Sequence, residues 1–304
     1  MLALGRLITA LVSPFTDDGT ALDTGRLERL VLHVLDGGSD GLLVGGTTGE
    51  GPTLTDEELE TLIREVRRIA PATVGVMANV GTNSTQVSIA RARMAEAAGA
   101  NSLLVVCPYY NKPPQEGLVA HYLAIAAATS LPVMIYNIPG RTAVNMLPET
   151  VAQVAREAPT VVAIKEASGD LGQMEKVVGV IARGDFHLWS GDDGLLADVM
   201  ALGGVGVVSV LSHIAGPELR AIMDASLAGD AGTARSRQER LDPVAKAAFC
   251  TTNPIPIKAM LNAAGIPVGP CRLPLVEPTA SQRTQILQGL DLLASMRAGA
   301  ASAT

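Results

Sequence analysis

The sequence predicts an α/β protein, a (β/α)8 TIM barrel followed by a C-terminal helical extension. Eight short apolar segments recur at even spacing, and segments with helical periodicity separate most of them. The apolar segments lack polar alternation, which is typical of parallel strands buried on both faces. An open doubly wound sheet is less favoured, because there are eight even units and no GxGxxG follows the first strand.

The predicted strands, in order, are LITALVSP, GLLVGG, VGVMANV, LLVVCP, VMIYNI, VVAIKEAS, HLWSGD and GVGVVSV. Helical periodicity is clear in DTGRLERLVLHVLDGG after the first strand and in TDEELETLIREVRRIA after the second. In the second helix, Thr55 and Glu58 have the spacing of a capping box, and the helix should end before Pro71.

The barrel is predicted to occupy residues 1–224 and to carry the active site. Residues 225–304 are predicted to form a helical extension that packs on the barrel, with helices around 231–250, 254–264 and 279–298.

Composition limits the possible functions. The 304 residues are 48% hydrophobic and 17% charged, with a formal net charge of −7. A sizeable core is expected, and the lack of a long basic run argues against a nucleic-acid or membrane partner. The three cysteines form no CxxC pair, and the four histidines show no HxH or HExxH spacing. No apolar run is long enough to span a membrane, so we expect a cytoplasmic protein.

The sixth strand ends in an unusual residue. In VVAIKEASGD, Lys165 follows four small apolar residues. Active sites of barrels lie at the C-terminal ends of the strands, and the pattern of the fifth strand places Tyr136 beside this lysine. For a lone lysine, an ion pair with Glu166 or another acid is the more common explanation. The neighbouring phenol favours a desolvated amine that attacks a carbonyl to form a Schiff base, with Tyr136 moving the protons.

Two loops would complete such a site. The segment GGTTGEGP after the second strand combines glycines with the hydroxyls of Thr47 and Thr48, and such a nest suits a carboxylate. Taken alone it could equally be an ordinary turn before the next helix. YNIPGRT places Arg141 on the loop after the fifth strand, where a guanidinium can clamp a carboxylate or remain a solvated loop charge.

Taken together, the motifs resemble those of a known family. GTTGE, PYYNKPPQEG, YNIPGRT, IKEASGD, SGDD, GVVSV and NPIPIKAML occur in this order along nearly the whole chain. They resemble the dihydrodipicolinate synthase/N-acetylneuraminate lyase family of class I pyruvate aldolases. Each string alone is a weak signal, whereas seven in order at barrel spacing are a strong one.

The resemblance implies roles for the catalytic residues. Lys165 would form the imine with pyruvate. Tyr136 would shuttle protons and would be linked through the hydroxyl of Thr47 to Tyr110, which family members lend to the site of a neighbouring subunit. The implied assembly is a homo-oligomer, commonly a tetramer built as a dimer of dimers. No cofactor and no metal are implied, because the imine itself carries the charge.

The resemblance also implies the residues that bind substrate. Thr47 and Thr48 would hold the pyruvate carboxylate, and Arg141 would grip the carboxylate of the second substrate. Gly191 and Val208 would lie where backbone groups line the pocket near the lysine.

The arginine of YNIPGRT favours the branch of the family that condenses pyruvate with aspartate-4-semialdehyde in lysine and diaminopimelate biosynthesis. Lyases and aldolases that act on N-acetylneuraminate or keto-deoxy sugars remain an alternative within the family. A phosphosugar isomerase, suggested by the glycines of GGVGVV, and a non-catalytic paralogue are less favoured, because neither would need both Lys165 and Tyr136.

One departure from the family concerns regulation. Members inhibited by lysine bind the effector with an acidic side chain four residues after an asparagine of the loop after the third strand. Alignment of that asparagine with Asn83 puts Val87 at the acidic position. Because a buried ammonium group without a counter-charge binds poorly, we expect weak or absent feedback inhibition by lysine.

Overall fold

The computed structural model describes residues 4–181 and 184–301. Eight parallel strands close into a barrel in chain order, so the first strand pairs with the eighth. The predicted fold class is therefore confirmed. The strands are β1 (Leu7–Ala10), β2 (Gly41–Val44), β3 (Gly75–Asn79), β4 (Ser102–Val106), β5 (Val133–Asn137), β6 (Val161–Glu166), β7 (His187–Ser190) and β8 (Gly206–Ser209).

Helices follow the strands and cover the outside of the barrel. Around the barrel they are α1 (Thr24–Asp36), α2 (Asp56–Ile69), α3 (Thr85–Ala97), α4 (Gln115–Ala126), α5 (Pro139–Thr142), α6 (Pro148–Glu157), α7 (Leu171–Val180), α8 (Leu196–Ala201) and α9 (Ser212–Leu227). The capping box predicted for α2 is present, with Thr55 and Glu58 each accepting from the other's backbone N–H.

The core has two parts. Inside the barrel, side chains from alternate strand positions form a separate apolar cluster that includes Ile8, Met134 and Trp189. The opposite faces of the strands pack against the helices in a larger aliphatic layer. Burial of both strand faces explains why the strands are apolar throughout.

The C-terminal extension consists of α10 (Ala231–Ala248), α11 (Ile255–Ala263) and α12 (Ala280–Ala301). These bounds agree closely with the helices predicted from the sequence. The last barrel helix, α9, ends at Leu227, close to the predicted boundary at 224. Within the described ranges, no helix is both long and apolar enough to cross a membrane.

Candidate active site

Lys165 and Tyr136 lie side by side at the C-terminal ends of two adjacent strands. They are direct partners in the register of β5 and β6. The side-chain nitrogen Nζ of Lys165 lies 4.1 Å from the centre of the Tyr136 ring. Both side chains are buried, with 6% and 4% of their surface exposed. The predicted juxtaposition of amine and phenol is therefore present.

Lys165 has no hydrogen bond or ion pair to any of the described residues. Glu166, the acid suggested as its ion-pair partner, points to the other face of the strand because side chains alternate along it. The Glu166 carboxylate accepts from Asn137 Nδ2 at 3.0 Å, Gln173 Nε2 at 3.0 Å and Ser168 N–H at 2.8 Å. The carboxylate of Glu166 is thus engaged by amide donors, and the amine of Lys165 has no carboxylate partner among the described residues.

Lys165 faces a cavity of about 510 Å³ at the mouth of the barrel. A cavity of this volume is large enough for two small substrates. Most of the residues singled out from the sequence lie in its wall: Lys165, Tyr136, Thr47, Thr48, Arg141 and Gly191. A second, smaller cavity of about 260 Å³ shares Thr47, Tyr136 and Arg141 with the first.

The loop after β2 brings Thr47 and Thr48 to the cavity because it turns back sharply. Gly45 has φ +66°, and an added Cβ at Gly51 would lie 2.1 Å from the carbonyl oxygen of Gly45. Only glycine permits this close approach of two backbone segments. Thr48 is buried, and its Oγ1 lies 2.9 Å from Asn253 Nδ2 of the extension.

Gly191 provides the space that Lys165 occupies. A Cβ at this position would lie 3.0 Å from Lys165 Cε and 2.6 Å from Ala167 Cβ. Val208, the other residue expected to line the pocket, lies in the apolar cluster inside the barrel. Val210, two residues further along the chain, is the one in the cavity wall.

Arg141 lies on the short helix α5 and is exposed to solvent at the cavity wall, and its guanidinium group has no partner among the residues that the structure describes. Tyr110 does not line the cavity of its own chain. Its side chain is 88% exposed, and its backbone has φ +76°, a conformation that is costly for a bulky residue. Such strain is typical of a position kept for function rather than for packing.

Sequence reasoning missed the connection between the barrel loops and the extension. Glu50, in the same loop as Thr47, forms a buried ion pair of 2.7 Å with Lys258 on α11. Lys258 also donates to the carbonyl oxygens of Ser13 and Pro270. Both residues belong to motifs quoted above, GTTGE and NPIPIKAML, but neither motif indicates that they pair.

A second set of contacts that the sequence did not indicate involves Asp193, the last residue of SGDD. Its carboxylate accepts from the hydroxyl of Ser209 and from the backbone N–H groups of Val210 and Leu211. Burial raises the pKa of Asp193, and these hydrogen bonds oppose the shift. The acid fixes the loop after β8 beside the cavity.

A buried lysine beside a phenol, with no ion-pair partner in the described ranges and at the C-terminal ends of the strands of a (β/α)8 barrel, defines a barrel enzyme of the lysine-dependent aldolase type. Residues 3–292 match the model of the dihydrodipicolinate synthetase family. The chain belongs to this family.

Individual relatives are similar over nearly the whole chain. The 4-hydroxy-tetrahydrodipicolinate synthase of Moorella thermoacetica is 48% identical over 94% of this chain and 97% of its own length. The synthase of Symbiobacterium thermophilum is 46% identical over 95% and 98%. A crystal structure of the Cyanidioschyzon merolae enzyme with lysine bound superimposes with a TM-score of 0.94, at 44% identity, over 96% of this chain and 99% of that one.

Proposed function

We propose that this protein condenses pyruvate with L-aspartate-4-semialdehyde to give 4-hydroxy-tetrahydrodipicolinate. The observation that carries the proposal is the position of Lys165. Its buried amine has no carboxylate partner among the residues that the structure describes, and it faces the barrel cavity at 4.1 Å from the Tyr136 ring centre. The names of the related proteins support this substrate pair rather than a sugar acid.

The chemistry begins at Lys165. Its neutral amine attacks the ketone carbon of pyruvate, and the carbinolamine loses water to give a protonated imine. The imine draws electrons from the methyl carbon, which loses a proton and becomes an enamine carbon. Tyr136 is within reach of these atoms and gives and takes the protons.

The enamine carbon then forms a bond to the aldehyde carbon of the second substrate, whose oxygen takes up a proton. The amino group of the new chain attacks the imine carbon, a ring closes, and the amine of Lys165 is released. One water leaves over the cycle, and no electrons are gained or lost, so the balance requires no redox partner.

The remaining site residues bind the substrates and position the catalytic groups. The hydroxyls of Thr47 and Thr48 hold the pyruvate carboxylate, and Arg141 binds the carboxylate of the aldehyde. Gly191 leaves room for the lysine, and the backbone near Val208 supports the strand end that borders the pocket. Tyr110 connects to Thr47 of a neighbouring subunit and completes the proton relay there.

The role of Tyr110 makes the active form at least a dimer, and we propose a cytoplasmic homotetramer built as a dimer of dimers. Sedimentation equilibrium of the purified protein measures the assembly. A protein that is monomeric at assay concentration and fully active would contradict the shared site.

The covalent intermediate is tested by incubating the protein with pyruvate and reducing it with borohydride. We expect mass spectrometry to place the adduct on Lys165 in the wild type and in a Lys176→Met control, whose exchanged side chain is exposed on α7. An adduct on another residue, or none, would show that the assignment is wrong.

The proton relay is tested with Tyr136→Phe, which keeps the ring beside Lys165 and removes only the hydroxyl. General acid–base catalysis contributes about 10²–10⁴-fold, so turnover should fall by that order while pyruvate still binds. Normal turnover would exclude Tyr136 as the acid and base.

A further inference from the structure

The C-terminal extension forms one wall of the cavity. Three residues of α10 and the residue that caps its C-terminal end line it: Asp242, Ala245, Lys246 and Phe249. Their spacing of three and four places them on one face of the helix, and this face borders the cavity. The extension is part of the substrate cavity and not only a cover for the barrel.

The face of α10 carries two opposite charges one helical turn apart. Asp242 is half-buried, and its Oδ1 accepts from Gln238 Nε2 at 3.2 Å, which holds the carboxylate at the wall. Lys246 is exposed and has no hydrogen bond or ion pair within the described part of the chain. Residues at this spacing commonly form an ion pair, but these two do not.

The other charged residues of the cavity wall are already assigned or engaged. Lys165 is the amine of the imine, and Arg141 lies on the barrel side of the cavity. The carboxylate of Asp192 accepts the backbone N–H of Gly194 at 2.9 Å. Asp242, held by a single amide donor, and Lys246 are thus an anion and a cation next to each other in the cavity wall, and neither has an ion-pair partner among the described residues.

We propose that α10 recognises the amino-acid head group of the aldehyde, with Asp242 binding the α-ammonium group and Lys246 sharing the α-carboxylate with Arg141. This inference rests on the proposed function and extends it to specificity. It assigns to Asp242 the selection of an amino-acid aldehyde over an aldehyde acid without an amino group, and to Lys246 a share in binding the carboxylate that both aldehydes carry.

The negative charge of Asp242 is the reason for the expected selectivity. A carboxylate in the wall repels the carboxylate of any bound acid, so it favours a ligand only if that ligand also carries a positive group. A zwitterion satisfies both charges of α10. Succinic semialdehyde, which lacks the amino group, leaves Asp242 unpaired beside its own carboxylate and should bind less well.

The test compares the KM for aspartate semialdehyde with the Ki of succinic semialdehyde in Asp242→Asn. Loss of a charge-assisted hydrogen bond at a half-exposed position should raise the KM roughly five- to tenfold. The Ki should stay the same or fall, because a repulsion is removed. Glu239→Gln, the loss of an exposed acid of the same helix outside the cavity wall, should change neither constant.

Lys246→Met removes the positive charge of α10 in place of the negative one. Because Lys246 binds a carboxylate common to both aldehydes, the KM and the Ki should rise together, by roughly three- to tenfold. Arg240→Met removes a cation of the same helix that lies outside the cavity wall, and it should leave both unchanged. Equal shifts of KM and Ki in Asp242→Asn, or a selective shift in Asp192→Asn in its place, would overturn the assignment.

Borohydride trapping with pyruvate separates this inference from the proposed function. If the wild type forms the Lys165 adduct but Asp242→Asn shows no selective effect, only the role of α10 is wrong. If no adduct forms in the wild type, the proposed function itself fails. Normal trapping in each variant also shows that the variant has folded.

Discussion

Removal of the Lys258 side chain should loosen the junction between the barrel and the extension. The Glu50–Lys258 pair is almost fully buried on both sides, and Lys258 also donates to two backbone carbonyl groups. Burial lowers the pKa of Lys258, and the charge of Glu50 opposes that shift. In Lys258→Met, the methionine fills much of the volume but leaves the carboxylate without its counter-charge.

The loss of one partner from a buried ion pair costs about 3–5 kcal/mol. Unfolding entropy is about 2.1 cal/mol/K per residue, which for 304 residues is about 0.6 kcal/mol/K. The melting temperature should therefore fall by about 5–8 °C. Because Glu50 and Thr47 belong to one loop, the KM for pyruvate should rise as well.

Thermal unfolding followed by circular dichroism at one protein concentration measures the first effect. The double variant Glu50→Gln/Lys258→Met provides the comparison, since it removes the unpaired charge and should recover part of the lost stability. A single variant that melts within about 1 °C of the wild type would show that the pair contributes little, and the reasoning from burial would be wrong.

Three further predictions concern the pH dependence of stability, the steric room that Gly191 leaves for Lys165, and inhibition by lysine. Burial lowers the pKa of His213 from 6.5 to about 4. The unfolded chain therefore takes up this proton first, and stability should fall as the pH drops from 6.5 towards 4; His213→Gln should reduce the slope of melting temperature against pH, and an unchanged slope would exclude this histidine. Gly191→Ala should displace Lys165 and reduce turnover about a hundredfold, with loss of the borohydride adduct. Gly179→Ala, which adds a Cβ in open space, is its control, and normal trapping in Gly191→Ala would contradict the steric argument. Inhibition by L-lysine should be weak because Val87, 41% exposed on α3, supplies no counter-charge, and Val87→Glu should strengthen it; a low-micromolar inhibition constant for the wild type would refute this.

The fold and the pairing of Tyr136 with Lys165 could be predicted because both follow from patterns within short segments of the sequence. Apolar strands without alternation, evenly spaced, leave few arrangements other than a barrel. The matching patterns VMIYN and VAIKE placed Tyr136 and Lys165 in neighbouring strands at the same height, and the register confirms it. These inferences required only the strand period and the order of the strands.

The parts that could not be predicted depend on contacts distant in sequence. Glu50 and Lys258 are 208 residues apart, and nothing near either residue indicates the other. The same holds for α10, because no motif in its sequence indicates that Asp242 and Lys246 lie in the cavity wall. Position along a strand can be counted from the sequence, but the face that a distant helix presents to a cavity cannot.

The predicted division of the chain at 224 falls inside α9, and the two predicted units share several contacts around the site. The loop that carries Thr47 and Thr48 is held from the extension, through the Glu50–Lys258 pair and through Asn253. Buried polar groups that lose such partners bear the full cost of desolvation. A barrel without its extension would expose those groups and lose one wall of the cavity. The extension therefore helps to position Thr47 and Thr48, just as the strands position Lys165.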